Sequence, residues 1–240
     1  MSAEPANVYL LDVQDIHTFI GEFHILEGVS LQVPAGSITV LLGRNGAGKT
    51  TTLRSIIGLA PPRTGRVFFR GEPLTGKRTH RIAQMGIGYV PENRIIFRDL
   101  TVGQNLKIAE RQPGDLEAKG DFIFNLFPDL KRLYNLRGGN LSGGQQQMLA
   151  VARALVPDNT LLLIDEPSEG LAPVIIEQMI EAIRQLSART TVLLVEQNFQ
   201  VASQLAERYV IIEEGISVHS GDMASLVQDP ERIRRYLGVA

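Results

Sequence analysis

The segment Gly43-Arg44-Asn45-Gly46-Ala47-Gly48-Lys49-Thr50 constrains this chain more than any other. It follows the aliphatic run Ile38-Thr39-Val40-Leu41-Leu42 and precedes a helix-like stretch through Leu53 and Ile57. A GxxxxGK[ST] string at a strand-to-helix turn is a phosphate-binding loop. Its glycines let the backbone turn tightly, so that successive N–H groups face an anion, and the helix N-terminus adds its partial positive charge. Lys49 then reaches the β and γ phosphates of a nucleotide, and the Thr50 hydroxyl ligates Mg²⁺. Residue frequencies make a chance match in a chain of this length roughly 1% probable.

The rest of the chain alternates short buried-strand runs with helical patterns, as parallel α/β units do. Strands are expected at Val8 to Val13, Ile25 to Val33 and Ile38 to Leu42, with Pro34-Ala35-Gly36 as a turn between the last two. Arg66 to Phe69 reads as a hairpin partner, and Ile87 to Val90, Leu161 to Ile164, Thr191 to Val195 and Arg208 to Ile212 as further core strands. An antiparallel N-terminal sheet beside a parallel core follows. From about Pro91 to Val156 helical spacing takes over, through Val102, Leu106 and Ala109 and again through Ile123, Leu126 and Phe127. Pro113-Gly114 and Pro128-Asp129 read as turns inside this helical insertion, and no repeat or long coiled coil is visible.

Composition removes several classes of function. Twenty-four Lys and Arg against 26 Asp and Glu leave a net charge of −2, without the basic surplus that a nonspecific nucleic-acid binder needs. The absence of cysteine excludes disulfides, thiolate nucleophiles and Cys-ligated zinc. His17, His24, His80 and His219 lack metal-ligand spacing. Arg78-Thr79-His80-Arg81 and Arg232 to Arg235 read as solvated faces. Aliphatic runs such as Leu161 to Ile164 and Val192 to Val195 are far too short to span a bilayer. Met1-Ser2-Ala3-Glu4-Pro5 shows neither the positive nor the apolar part of a secretory signal, so a cytoplasmic location is expected.

Two further segments carry chemistry. In Leu161-Leu162-Leu163-Ile164-Asp165-Glu166-Pro167, buried aliphatics deliver an acidic pair to the C-terminal edge of a strand, where open α/β sheets bind ligands. Asp165 suits indirect support of Mg²⁺, and Glu166 suits accepting a proton from an attacking water. In Leu141-Ser142-Gly143-Gly144-Gln145, Ser142 is a plausible helix N-cap whose neighbouring glycines allow close approach to an anion.

These three motifs, in this order, resemble the nucleotide-binding domain of ABC ATPases over essentially the whole chain. The resemblance implies an α/β P-loop NTPase of ABC type, with a parallel core sheet, an N-terminal antiparallel β region and a helical subdomain. It implies one domain over residues 1–240, its core formed by 1–90 and 157–240 and its helical subdomain by about 91–156. ATP and Mg²⁺ are then the expected ligands. ATP would be held by Gly43, Asn45, Gly46, Ala47 and Gly48 and by Lys49, Thr50 and Thr51, with Phe19 stacked on the adenine. The expected assembly is a head-to-tail dimer, in which Ser142 and Gly144 of one subunit complete the ATP site of the other. Ser168-Glu169-Gly170-Leu171-Ala172-Pro173 matches the segment that crosses that interface.

Two departures narrow the family. Glu92 stands where most members have the Gln of the Q-loop, and Gln197 where most have a switch histidine. Both, together with Asp165 to Pro173 and the ending Arg235-Tyr236-Leu237-Gly238, look like the LivF-type ATPases of branched-chain amino-acid importers. Glu92 is expected beside Thr50 and Asp165 at Mg²⁺, and Gln197 beside Lys49 and Glu166 in catalysis, its amide placing the γ-phosphate and the attacking water. Such ATPases pair with a second, identical or different, ABC subunit and with transmembrane permease subunits, served by a solute-binding protein outside the membrane. The chain would then sit on the inner face of the cell membrane, and the apolar run Ile95-Ile96-Phe97 lies where the family receives its permease. Urea and amide importer ATPases remain an alternative. Soluble ABC ATPases of DNA repair, translation or chromosome maintenance usually carry two ATPase domains or a long coiled coil, and simple P-loop kinases and GTPases have no use for Leu141 to Gln145. The transported solute is not legible from this chain.

Overall fold

The computed structural model describes residues 9–238. Strands β1 (Tyr9–Ile20), β2 (Phe23–Pro34), β4 (Thr64–Phe69) and β5 (Glu72–Pro73) form an antiparallel sheet in the order β2-β1-β4-β5. The second sheet takes β3 (Ile38–Leu42), β6 (Ile87–Val90), β7 (Leu161–Asp165), β8 (Thr191–Val195), β9 (Arg208–Glu213) and β10 (Ile216–Asp222) in the order β10-β9-β3-β8-β7-β6. Its β9, β3, β8, β7 and β6 run parallel, and β10 is antiparallel at the edge.

Helix α1 (Lys49–Ile56) leaves β3, and α2 (Thr79–Gln84) precedes β6. Among the described residues no strand, only one isolated Thr101–Arg137 bridge, lies between β6 and β7, which are separated by α3 (Val102–Lys107), α4 (Asp115–Leu126), α5 (Pro128–Arg132) and α6 (Gly143–Leu155). Helix α7 (Pro173–Ser187) leads into β8, α8 (Phe199–Leu205) into β9, and α9 (Met223–Val227) and α10 (Pro230–Leu237) follow β10. Among the described residues no helix is long and apolar enough to cross a membrane.

The aliphatic runs of β7 and β8, and of β3 apart from Thr39, follow from burial on both faces, since successive strand residues point to opposite sides. Leu162, Ile164 and Leu194 pack on one side with Leu106, Ile123, Leu149 and Val151 of the helical insertion. Leu161, Leu163 and Leu193 pack on the other with Leu11, Val13 and Val29 of the antiparallel sheet and with Leu53 and Ile56 of α1. The helical insertion and the parallel sheet thus share one apolar core.

The strand expected at Val8 to Val13 is extended in β1 at its C-terminal end. Val8 lies outside the described residues, and β1 continues to Ile20. Gln14-Asp15 interrupts the alternation because Asp15 sits at φ +47° in a bulge, after which the strand resumes at Ile16. Gly65 on β4 accommodates the bulge: a Cβ there would lie 2.2 Å from the Asp15 carbonyl oxygen. Strand β10 escaped sequence reading because its residues, Ile-Ser-Val-His-Ser-Gly-Asp, are mostly polar and half-exposed at a sheet edge.

Candidate active site

The parallel strands end at one edge of the sheet, and that shared direction brings residues far apart in sequence together. The edge gathers the phosphate loop after β3, Glu92 after β6, Glu166 after β7 and Gln197 after β8 into one cleft of about 510 Å³. Asn45, Gly46, Gly48, Lys49, Thr50, Thr51, Glu92, Glu166 and Gln197 line it as expected. Ile20, Ile25, Arg54 and Glu169 line it as well; of these, sequence reading had placed only Glu169 in a functional segment, at the dimer interface and not in the cleft.

The loop's glycines have separate reasons. A Cβ on Gly43 would fall 2.2 Å from the carbonyl oxygen of Ile212 on β9, and one on Gly48 would meet Leu26 Cδ2 at 2.7 Å. Gly46 has open space around it and needs glycine for its φ of +79° alone. Gly43 and Ala47 do not line the cleft; Ala47 buries its methyl in the core beneath.

Lys49 is 4% exposed and donates to the carbonyl oxygens of Gly43 at 3.0 Å and Arg44 at 3.1 Å, with Glu166 Oε1 at 3.6 Å. Its ammonium is held at the loop's mouth by bonds a phosphate oxygen can replace. Thr50 Oγ1 donates to Asp165 Oδ1 at 3.0 Å, and the Tyr89 hydroxyl donates to Asp165 Oδ2 at 3.3 Å. Burial holds the Asp165 carboxyl above the usual carboxylate range, against the lowering effect of these two bonds. Burial, and then the neighbouring Asp165, pushes the Tyr89 phenol up to about 12. Tyr89 therefore stays a proton donor to Asp165.

Glu166 adopts φ +45°, uncommon for a residue with a side chain, which aims its carboxylate into the cleft. Both its oxygens accept from Gln197 Nε2, at 2.8 and 2.7 Å. The amide expected at the γ-phosphate is thus spent on Glu166 here. Asn198, not Gln197, caps α8, through Oδ1 to the backbone N–H groups of Gln200 and Val201.

Burial, followed by the charges of Glu166 and Glu92, raises the Glu169 carboxyl. Three carboxylates against two cations make the cleft's own side chains a poor match for a polyphosphate. Thr50 and Asp165 are the hard oxygen donors Mg²⁺ takes. Among the described residues no group of three or more His, Asp or Glu lies close enough to share a metal ion. Glu92 borders the cleft beside Glu169 and has no bond to Thr50 or Asp165 among the described residues.

Phe19 requires a correction, because it is not part of the cleft wall. His24 stacks on its ring at 4.1 Å and 4°, and the Arg63 guanidinium lies over it at 3.9 Å. Two groups so near the centroid cover both faces and leave none for a base. A register shift between Thr18 and Phe19 breaks the alternation, and Ile20, 46% exposed, takes the place on the cleft. Ser142 and Gly144 also lie outside this cleft, at the start of α6. Ser142 is exposed and closes a capping box: its Oγ accepts from Gln145 N at 3.3 Å, and Gln145 Oε1 accepts from Ser142 N at 3.0 Å.

A phosphate loop after the central parallel strand β3, with a Thr–Asp pair and a strained carboxylate at the end of β7 two strands away, defines a P-loop nucleotide hydrolase. A family model described as ABC transporter matches residues 26–169. The high-affinity branched-chain amino acid transport ATP-binding protein BraG of Pseudomonas aeruginosa is 41% identical over 232 residues, covering 95% of this chain and all of that protein. The probable branched-chain amino acid transport ATP-binding protein LivF of Archaeoglobus fulgidus is 36% identical over 222 residues, 91% of this chain and 94% of its own length. A crystal structure of a nucleotide-free ATP-binding cassette from an ABC transporter superposes with a TM-score of 0.83 at 25% identity, over 97% of this chain and 99% of that one. The chain belongs to the ABC transporter family and is an ATP-binding, ATP-hydrolysing cassette.

Proposed function

We propose that the chain is the ATP-hydrolysing subunit of a membrane importer for branched-chain amino acids, and that it works as one of two cassettes bound to permease subunits. The observation that carries this reading is the likeness to transport ATP-binding proteins along nearly the whole chain, with no element from β1 to α10 left over for another task. A solute-binding protein outside the membrane would deliver the amino acid, and this subunit would sit on the inner face through its permeases.

In the proposed chemistry, ATP lies with its phosphates on the loop from Gly43 to Thr51 and its base against Ile20 and Ile25. Lys49 exchanges its bonds to Gly43 and Arg44 for phosphate oxygens and stabilises charge on the γ-phosphoryl group. Water attacks the γ-phosphorus, the bond to the β–γ bridging oxygen breaks, and ADP and phosphate leave. Glu166 accepts the water's proton. Gln197 orients Glu166 and, once nucleotide fills the cleft, can turn an N–H toward the γ-phosphate. Bound Mg²⁺ would neutralise phosphate charge, with Thr50 and Asp165 as the residues to hold it and Glu92 as a further oxygen donor.

The exposure of Ser142 and Gly143 supports a site completed by a second subunit, because the start of α6 faces solvent rather than its own cleft. A permease contact is supported by a groove that includes Pro91, Arg94, Ile95, Ala150 and Arg153. Within it Ile95 is 65% exposed. Disrupting the coding sequence should abolish uptake of labelled leucine, isoleucine and valine and leave urea and amide uptake intact; unchanged leucine uptake would sink this reading.

A further inference from the structure

Glu196 is 1% exposed, and nothing in the proposed chemistry uses it. It follows the last residue of β8, and its backbone N–H donates to the Leu41 carbonyl of β3 at 3.3 Å. Its Oε1 accepts from the Ser168 N–H at 3.2 Å; its Oε2 accepts from the Ser168 hydroxyl at 2.9 Å and from the Asn198 N–H at 3.4 Å. Ser168 lies two residues beyond Glu166, and Asn198 one beyond Gln197. Consecutive residues at the end of β8 therefore each grip the end of β7: Glu196 holds Ser168 from within, and Gln197 holds Glu166 at the cleft.

We propose that Glu196 is a positioning residue for ATP hydrolysis, clipping the loop after β7 to the loop after β8 so that Glu166 and Gln197 keep their relative placement. This rests on Glu166 being the proton acceptor. A buried carboxylate without a cation is expensive to maintain, and among the described residues no Lys, Arg or His pairs with Glu196. The other charge bearing on it is Glu166, from the end of β7, while its loop neighbours Ser168, Gln197 and Asn198 are uncharged. The ionised group accepts all three hydrogen bonds. The protonated group must give one oxygen over to donation, which reverses or breaks a bond of the clip. Burial pushes this carboxyl up to about 7, so the clip changes state across neutral pH.

The test is steady-state ATP hydrolysis by the full chain from pH 5.5 to 9 with Mg²⁺, alongside binding of a fluorescent ATP analogue. Glu196→Gln should lower kcat about tenfold, the scale of a small misplacement of reacting groups, leave KM within about twofold, and remove a fall in kcat below about pH 7. Ser168→Ala should act in the same direction. The double variant should be no worse than the poorer single one, as for residues in one linkage. A parent-like kcat and pH profile in Glu196→Gln, or effects that multiply in the double variant, would overturn the clip. Should Glu196→Gln lose nucleotide binding, Ser168→Ala and Ser168→Gly decide, and parent-like turnover in both overturns the proposal. Glu166→Gln is the control: normal turnover there would remove the catalytic reading itself, whatever Glu196 does.

Discussion

The phosphate loop and the start of α6 are both glycine-rich segments that open a helix, yet they handle the helix's free N–H groups in opposite ways. At α1 the N-cap is Gly48, with φ +106° and no side chain to cap anything. The first N–H groups are left for an anion, and Lys49 is buried beside them. At α6 Ser142 and Gln145 satisfy each other's backbone, so the helix start is complete by itself and faces solvent. The first segment is a finished site. The second can serve a ligand only by giving up a long cap bond, and only to a nucleotide carried by another molecule.

The strongest way to break the comparison is at the finished site: Glu166→Gln should slow hydrolysis by about 10² to 10⁴, the range of a general base, while ATP binding by equilibrium dialysis stays near parent level. Gln197→Ala should cost roughly 10- to 100-fold in kcat, less than a full oxyanion donor because its bonds here go to Glu166. Gln197→His should keep activity and add a titration near pH 6.5; an Ala variant as fast as the parent removes Gln197 from the chemistry. At the incomplete site, mixing a Ser142-defective subunit with a Lys49-defective one should restore about a quarter of parent activity, from random pairing with one working site in each mixed dimer. No recovery in that assay would mean each cleft works alone.

Smaller effects sharpen the picture. The folded-state pKa of Glu196 is raised, to about 7, so its contribution to stability is full below the unfolded carboxylate pKa and is lost as pH rises through about 7. Between pH 5.5 and 8 the parent's Tm should fall a few degrees more than that of Glu196→Gln, as differential scanning fluorimetry would show. The smallest effect belongs to Phe19→Ala, which should change ATP affinity by less than about twofold. Ile20→Ala should weaken it by about 1 kcal/mol for the apolar surface lost. Titration calorimetry giving the reverse order would return the base to Phe19.

Several features were legible because they are local. The phosphate loop, the acidic pair after Ile164 and the Ser142 cap each declare themselves in under ten residues, through backbone freedom, strand periodicity and capping chemistry. Strands β7 and β8 were legible because both their faces are buried, which leaves an unbroken aliphatic run. Phe19 misled because a register shift is set by a partner strand, and Asp15 hid the length of β1 for the same reason. Arg54 and Glu196 carry no pattern at all; they matter because of what lies across from them.

The sequence by itself thus determined that this chain binds nucleotide phosphates and which short segments take part, since a glycine turn, a lysine and a hydroxyl at fixed spacing have few other uses. Tertiary structure alone decided that Ile20 rather than Phe19 walls the cleft, that Gln197 holds Glu166, and that Glu196 grips Ser168. Each of those depends on strand order and register, which join residues about 30 positions apart in the last two pairs. Side-chain pairing across parallel strands is fixed by the sheet's hydrogen-bond ladder, and no local stretch of sequence records which strand its neighbour will be.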